Sequence, residues 1–413
     1  MRGFAVDVRP LRESRDFRLL WTGELISQTG HQITTVALFV QVFDLTGSSA
    51  AVGAIGLVQL VPMILASMLI GPVIDRRDRR ALLLVAQAGQ AVASSLLLLG
   101  ALAGDPPLTL LYVAAAINGA LTTVALPTRA AMTPNLVPIR LLPSANALNQ
   151  VMWNTAAIAG PAVGGVVVAR LGLEWAYGLD VATYVVAFGF AIALRPMPPR
   201  PEEGVGHEKG LAAVLAGVRY LRGRPVLQST FTVDLAAMVF AMPRVLFPVL
   251  AIERFGGDEA TVGILFSAIA VGALVGALGS GWVGRIQRMG LAVVISIALW
   301  GVCIAGFGLV GDRLVPALAF LALAGAADVI SAVFRSAIQQ LTVPDALRGR
   351  LSAFNILVVT GGPRLGDFNM GVVAAMTSPT VAIVAGGALC VAGVGLVASL
   401  VPQFARWRVG DPP

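Results

Sequence analysis

Long runs of apolar residues alternate with short polar stretches along the whole chain. Residues 45–74 carry no charge, whereas the ten residues 71–80, GPVIDRRDRR, include six charged ones. A helix needs about 20 apolar residues to cross the hydrocarbon core of a bilayer. Twelve segments have this character, at 17–43, 52–74, 81–103, 108–131, 147–170, 176–195, 227–252, 261–284, 290–310, 315–339, 351–375 and 380–402.

These segments predict helices rather than strands. They lack the alternation of a membrane β-barrel, and in lipid a helix satisfies its own backbone hydrogen bonds. Hydrophobic residues make up 57% of the chain and charged residues 12%, against about 25% charged in soluble domains. The sequence therefore predicts an all-α polytopic membrane protein with twelve transmembrane helices.

The 29 Lys and Arg residues outnumber the 22 Asp and Glu residues, which raises the question of nucleic-acid binding. The positions of the arginines answer it. They concentrate near both termini and in alternate loops, whereas the other loops hold little beyond Arg170, Arg254 and Arg313. The positive-inside rule then places both termini in the cytoplasm. We expect a multi-pass protein of the cytoplasmic membrane, working as a monomer, with no nucleic-acid partner.

The longest polar stretch, 196–226, divides the chain into a first half, 1–195, and a second half, 227–413. The start of this stretch is rich in Pro and Glu, which is typical of a linker. From Lys209 onward its apolar residues fall on one helical face, which predicts an amphipathic helix on the inner membrane surface. A simple connector explains the same residues equally well.

The two halves resemble each other in sequence. Residues 50–76 align without a gap with 260–286, an offset of 210, and 149–169 align with 355–375, an offset of 206. Repeats of this size occur in transporters whose two halves rock around a central site. The twelve helices are therefore expected to form two pseudo-symmetric six-helix bundles.

The charged loop GPVIDRRDRR lies between the second and third segments. Gly71 permits close approach of a neighbouring helix, and Asp75 sits among arginines where charge-assisted pairing is strong. Such a loop can lock the two halves together, although setting topology alone would explain its arginines. The loop resembles motif A of the major facilitator superfamily. This resemblance implies a conformational lock made by Gly71, Asp75, Arg76, Arg79 and Arg80, with Asp78 where the motif usually has Gly.

A second stretch, AIAGPAVGG at 157–165, resembles motif C of the exporters in that superfamily, through Gly160, Pro161, Gly164 and Gly165. Proline kinks a helix and small residues allow tight packing, here expected against the eighth segment. Ordinary small-residue packing is the alternative. Together with stretches such as AMPRVLFPVLA, residues 15–405 resemble the branch that contains enterobactin exporters and drug-efflux pumps. The resemblance implies proton-driven export, by antiport and alternating access, of a catecholate siderophore or an amphiphilic drug, including multidrug resistance.

Charged residues within the apolar segments need a functional or structural reason, because each costs about 2.5–3.5 kcal/mol at the bilayer centre. Glu24 and Asp234 are separated by the repeat offset of 210, so we expect them to face one cavity. Asp328 and Arg335 are seven residues apart, hence on one helical face. Arg364 and Asp367 are three apart and are expected to pair within their helix.

Burial away from fixed cations favours the protonated form of a carboxylate, which lets it load and release protons. Asp234 and Asp328 are the preferred proton-coupling candidates, with Glu24 third, and Asp367 is expected to be a structural partner. Arg244 either meets the cavity and attracts an anionic substrate or lies half-exposed at the outer rim. We interpret Arg129 and Arg335, which correspond at the second offset, as gate or topology residues.

Several chemistries are excluded. The single lysine, Lys209, is followed by Gly-Leu, so no nucleotide-binding P-loop and no ATP hydrolysis are expected. Two distant histidines argue against a metal site, and the chain has no nucleophile elbow, so neither an enzyme nor a cofactor is predicted. The alternatives to an exporter are an importer of a small solute on the same fold and a membrane sensor that does not transport.

Overall fold

The structure is a computed structural model that describes residues 7–198, 219–343 and 345–411. These residues are helical, with no strand among them, so the predicted all-α class is confirmed. Most of the predicted linker and its amphipathic helix, residues 199–218, lies outside the described residues.

Twelve long helices occupy the described part of the chain. They are α1 Arg15–Thr46, α2 Ser49–Arg76, α3 Arg79–Ala103, α4 Leu108–Leu136, α5 Leu142–Leu171, α6 Leu173–Ile192, α7 Pro225–Phe240, α8 Glu259–Leu278, α9 Met289–Leu309, α10 Leu314–Thr342, α11 Asp345–Met376 and α12 Pro379–Leu400. One-turn helices, Arg9–Glu13 and Pro402–Arg406, stand at either end. After α7 the chain breaks at residues 241–243 and then resumes with a 3-10 turn, Arg244–Leu246, that leads to a π-helical turn, Leu250–Arg254.

Ten of the described helical segments are long and apolar enough to cross a membrane, namely all but α1 and α11. Those two carry charged residues within their length, such as Glu24 in α1 and Arg364 and Asp367 in α11. Each of the twelve predicted segments overlaps one of the long helices. Some helices, such as α1, α2 and α11, extend past the apolar runs at both ends because backbone hydrogen bonding continues into polar flanks. The chain is thus a multi-pass membrane protein.

Side chains cap several of the described helices at their N-terminal ends, including α1 and α2, where Ser14 and Ser48 accept from the N–H groups of Phe17 and Ala51. Asp78, Asp258 and Ser378 accept hydrogen bonds from backbone N–H groups of the first turns of α3, α8 and α12. These N–H groups have no partner within the helix, so a capping oxygen satisfies them. The cap at Asp78 explains why the loop between α2 and α3 is so short.

By packing, the chain groups into two units, Met1–Gln41 with Val61–Gly206, and Val42–Leu60 with His207–Pro413. The first unit has a core that includes Phe17, Leu83 and Met132. The second has a core cluster around Leu227 and Phe231, where the Phe231 ring meets Phe354 edge-on. The three-part division 1–195, 196–226 and 227–413 remains a prediction.

Candidate functional site

The first unit contains a buried ion pair between α1 and α4. Arg129 Nη1 lies 2.6 Å from Glu24 Oε2, and the side chains are 10% and 5% exposed. A charge this deeply buried is stable only when a partner compensates it. Glu24 is therefore held by Arg129, and the expectation that it faces one cavity with Asp234 stays a prediction.

The second unit contains the equivalent pair between α7 and α10. Arg335 contacts the carboxylate of Asp234, again with both side chains almost fully buried. The sequence repeat relates Glu24 to Asp234 and Arg129 to Arg335, so one ancestral arrangement occurs in both units. Each of the two arginines is a buried partner of a carboxylate, and their interpretation as gate or topology residues stays a prediction. The premise that no cation stands near Asp234 is wrong, because Arg335 contacts its carboxylate.

Asp328 differs from the other acidic residues within the helices. It lies on α10, two turns before Arg335, and its side chain is exposed rather than packed. Among the described residues it takes part in no ion pair, since Arg335 is directed to Asp234. Exposed carboxylates within membrane helices face a water-filled space rather than lipid. Asp328 is therefore placed to face water.

A third charged cluster joins the break after α7 to α11. Arg244 Nε and Nη2 bind the two carboxylate oxygens of Asp367 at 2.7 and 2.5 Å, a bidentate geometry. The predicted pairing of Asp367 with Arg364 is wrong, because both carboxylate oxygens of Asp367 bind Arg244 instead. Arg244 is held inside the unit by this contact, which neither of its two sequence interpretations included.

The N-terminal half of α2 packs on this cluster within the second unit. A Cβ atom at Gly56 would collide with the carbonyl oxygen of Arg364 and lie 2.9 Å from Cβ of Asp367. Only glycine lets the two helices approach so closely. The cluster is therefore fixed on both sides, by Arg244 and by the backbone of α2.

Five arginines in the described part of the chain have buried donors left over, and three of the five belong to the charged clusters above. Arg129 Nε and Nη2, Arg335 Nε and Arg364 Nε are buried, and none has a hydrogen-bond partner within the described residues. A buried donor without a partner costs about 1–3 kcal/mol. Such donors are suited to bind an anionic ligand, because guanidinium groups form their strongest hydrogen bonds with charged oxygens.

The motif A arginines bind the ends of other helices in the first unit. Arg79 donates to the carbonyl oxygen of Ala131 in α4 at 3.1 Å, and Arg80 donates to those of Ala191 and Ile192 in α6 at 3.2 and 2.5 Å. Carbonyl groups at helix C-terminal ends carry partial negative charge, which attracts cations. Arg76 is exposed. Gly71 and Asp75 belong to α2, but their surroundings lie outside what the structure describes, so the lock stays a prediction.

The motif C residues bring α5 close to α1. A Cβ atom at Gly160 would lie 2.5 Å from Cβ of Gln32, and one at Gly164 would lie 3.0 Å from Cα of Ile33. Pro161 and Gly165 are buried beside them in a continuous helix. The motif thus seals the contact between the two helices of one unit, and the expected contact with the eighth segment remains a prediction.

Sequence reasoning missed Asp180 of α6. Its side chain is fully buried, and Oδ2 accepts hydrogen bonds from Thr34 Oγ1 at 2.8 Å and Ser94 Oγ at 2.6 Å. The signal was present, because Asp180 is a lone acidic residue in the apolar run AYGLDVATYVV.

The chain is similar to known proteins over nearly its whole length. A family model described as transmembrane secretion effector matches residues 5–407. The enterobactin exporter EntS of Citrobacter koseri is 29% identical over 397 residues, covering 96% of this chain and 94% of that protein. EntS of Shigella boydii is 28% identical with the same coverage.

Solved structures show the same fold at lower identity. A mutant of the nucleoside transporter NupG superposes with a TM-score of 0.76 at 14% identity, covering 94% of this chain and 99% of that one. At this level of identity the likeness establishes the fold.

Proposed function

Because the chain belongs to the major facilitator superfamily, in its family of transmembrane secretion effectors, we propose that it exports an anionic small molecule in exchange for protons. The membership confirms the resemblance found in the sequence, including the branch of the enterobactin exporters. It makes the chain a transporter of a small molecule across the bilayer and not an enzyme. The direction, the proton coupling and the substrate are the proposal.

The proposed substrate is a catecholate siderophore of the enterobactin kind. The relatives named above are enterobactin exporters, and within the second unit the unpartnered nitrogens of Arg335 and Arg364 suit the negatively charged oxygens of a catecholate. An amphiphilic drug is the second candidate, supported by the branch to which the sequence belongs. A neutral drug would leave the guanidinium donors unsatisfied, so we place the siderophore first.

The observation that carries the coupling mechanism is the repeated ion pair. An ionised Asp234 holds Arg335 through Nη1 and leaves Nε available to bind an anionic substrate. A proton on Asp234 breaks this ion pair and releases Arg335 from the position in which it binds the substrate. Proton and substrate therefore exclude each other, as exchange requires, and this linkage is reciprocal. The pair Glu24–Arg129 can act in the same way in the first unit.

Asp328 supplies the proton in this scheme. It is exposed and two helical turns from Arg335, so it can exchange protons with water while Asp234 remains paired. The motif A loop would then hold one end of the transport pathway closed until the charged groups of the binding site are neutralised. Both termini are proposed to face the cytoplasm, from the placement of arginines in the sequence.

The test is uptake into everted membrane vesicles from cells that express the chain, where export appears as accumulation. Enterobactin, a macrolide and a tetracycline are offered separately, with and without a protonophore. We expect accumulation of the catecholate that the protonophore abolishes. Asp328→Asn should remove the dependence on the proton gradient, whereas Asp105→Asn, an exposed residue between α3 and α4, should leave it intact.

Other outcomes separate the alternatives. Accumulation of the drugs alone moves the substrate to the second candidate. Uptake seen only in right-side-out vesicles indicates an importer, and no gradient-dependent movement of any compound favours the sensor. Unchanged proton dependence in the Asp328→Asn variant contradicts the assigned proton site but not export itself.

A further inference from the structure

Asp180 ties three helices of the first unit together. Its carboxylate lies on α6, while Thr34 belongs to α1 and Ser94 to α3, and both hydroxyl groups are directed at the same oxygen, Oδ2. A carboxylate inside a membrane protein is expensive and is usually paired or functional. Asp180 needs a reason of its own.

This carboxylate has no cation. Among the described residues Glu24, Asp234 and Asp367 each pair with an arginine, whereas Asp180 takes part in no ion pair. The titratable groups around it are Tyr177 and Tyr184 on α6 itself, with His31 one turn before Thr34 on α1. The facing stretch of α3, residues 90–98, contains no charged residue. An ionised Asp180 would therefore be an uncompensated charge.

The hydrogen bonds at the second oxygen identify a place for a proton. Thr183 Oγ1 lies 2.7 Å from the carbonyl oxygen of Asp180 and 3.4 Å from Oδ1. The Thr183 hydroxyl hydrogen is directed to the nearer carbonyl oxygen, which leaves the Thr183 oxygen free to accept. A hydrogen on Oδ1 can occupy that position, while Oδ2 accepts from Thr34 and Ser94. The O–H donor and both acceptor positions of the carbonyl oxygen Oδ2 are then used.

We propose that Asp180 is a proton-binding site, with the proton carried on Oδ1 and shared with Thr183. On release, the Oδ1–H bond breaks, the proton passes to a water molecule beside the half-buried Thr183, and the electron pair stays on the carboxylate. The Thr183 hydroxyl can then rotate to donate to Oδ1. Gly30 of α1 keeps the place open, because a Cβ atom there would meet Thr183 Oγ1 and lie 2.6 Å from Asp180 Oδ1.

The site has a consequence for transport that rests on the proposed function. Hydrogen bonds to an ionised carboxylate are roughly twice as strong as those to a neutral one. Loss of the proton would therefore tighten the hold of α6 on Thr34 in α1 and on Ser94 in α3. Because α1 also carries Glu24, the protonation of Asp180 would act on the ion pair through the same helix. Asp180 is thus a positioning residue that senses protons.

Infrared difference spectroscopy of the full chain in lipid nanodiscs tests the protonation directly. At neutral pH we expect a carbonyl stretching band from a protonated carboxyl group, shifted by exchange into D₂O. Asp180→Asn should remove this band, and Glu174→Gln, in the first turn of the same helix, should retain it. A spectrum of the Asp180→Asn variant identical with that of the unchanged chain, at neutral and acidic pH, overturns the proposal.

A second variant keeps the test valid if Asp180→Asn does not fold. Ser94→Ala leaves Asp180 in place and removes one donor to Oδ2, so the band should move to higher frequency without loss of intensity. A band that does not respond to Ser94→Ala belongs to another carboxyl group and also overturns the proposal. These spectra require no transport, so they stand even if proton-driven export is not found. Where export is found, Asp180→Asn should alter its pH profile, and Glu174→Gln should not.

Discussion

The ion pair of Glu24 with Arg129 allows a quantitative prediction about stability. The atoms are 2.6 Å apart, which at an effective dielectric constant of about 20 corresponds to an attraction of about 6 kcal/mol. Desolvation of the two ions offsets much of this attraction. Removing one partner nevertheless leaves the other charge buried, at a cost of about 3–5 kcal/mol. We therefore expect Arg129→Met to destabilise the chain by this amount.

The control is a pair of similar length at the surface. Arg140 lies 2.7 Å from Glu13, but these side chains are 66% and 37% exposed. Water screens such pairs, so Arg140→Met should cost no more than about 1 kcal/mol. For a domain of about 150–250 residues, a loss of 1 kcal/mol in the free energy of unfolding lowers the midpoint temperature by about 2–4 °C. Arg129→Met should then lower the midpoint by roughly 6–20 °C, and Arg140→Met by only a few degrees.

The assay is thermal unfolding of the purified chain in detergent, followed by intrinsic tryptophan fluorescence. Trp21 is one turn from Glu24 on α1 and donates to the carbonyl oxygen of Leu148, so it reports on this region. The double variant Glu24→Gln with Arg129→Met removes both charges and should recover most of the lost stability. The reasoning is refuted if Arg129→Met costs no more than Arg140→Met, or if the double variant costs the sum of the two single variants.

Three further predictions follow from particular contacts. Asp78→Ala removes the cap of α3 and should cost about 0.5–2 kcal/mol in the same unfolding assay; an unchanged midpoint would contradict the cap. Gly160→Ala forces a Cβ atom against Gln32 and should cost about 1–3 kcal/mol, whereas Gly189→Ala, which meets nothing within 4 Å, should be neutral or slightly stabilising. Asp367→Asn leaves Arg244 without its carboxylate partner and should lower the midpoint more than Asp105→Asn does; equal midpoints would show that the pair contributes nothing.

The membrane class and the number of long helices could be predicted from the sequence. Crossing a bilayer requires a fixed length of apolar chain, and this requirement is written locally, residue by residue. The internal repeat also correctly related Glu24 to Asp234 and Arg129 to Arg335. The repeat could not show that Glu24 binds Arg129 or that Asp234 binds Arg335. That depends on how α1 meets α4 and how α7 meets α10.

The outcome for the acidic residues shows where local reasoning ends. Spacing of three along a helix suggested that Arg364 pairs with Asp367, but Arg244 reaches the same carboxylate from a distant segment and takes both oxygens. Asp234 and Asp328 looked alike as single charges in apolar runs, yet one is buried against an arginine and the other is exposed. Asp180 was overlooked because its partners, Thr34 and Ser94, are uncharged and far away in the sequence.

The sequence by itself determined that this chain must lie in a membrane as helices, and that its two halves share one plan. Hydrophobic length and backbone hydrogen bonding decide both, and they act within each segment. Only the tertiary structure decided which charges are compensated, since the energy of a buried charge depends on the atoms within a few ångströms of it. Those atoms come from other helices, and it is this packing that separates the paired carboxylates from the ones free to carry a proton.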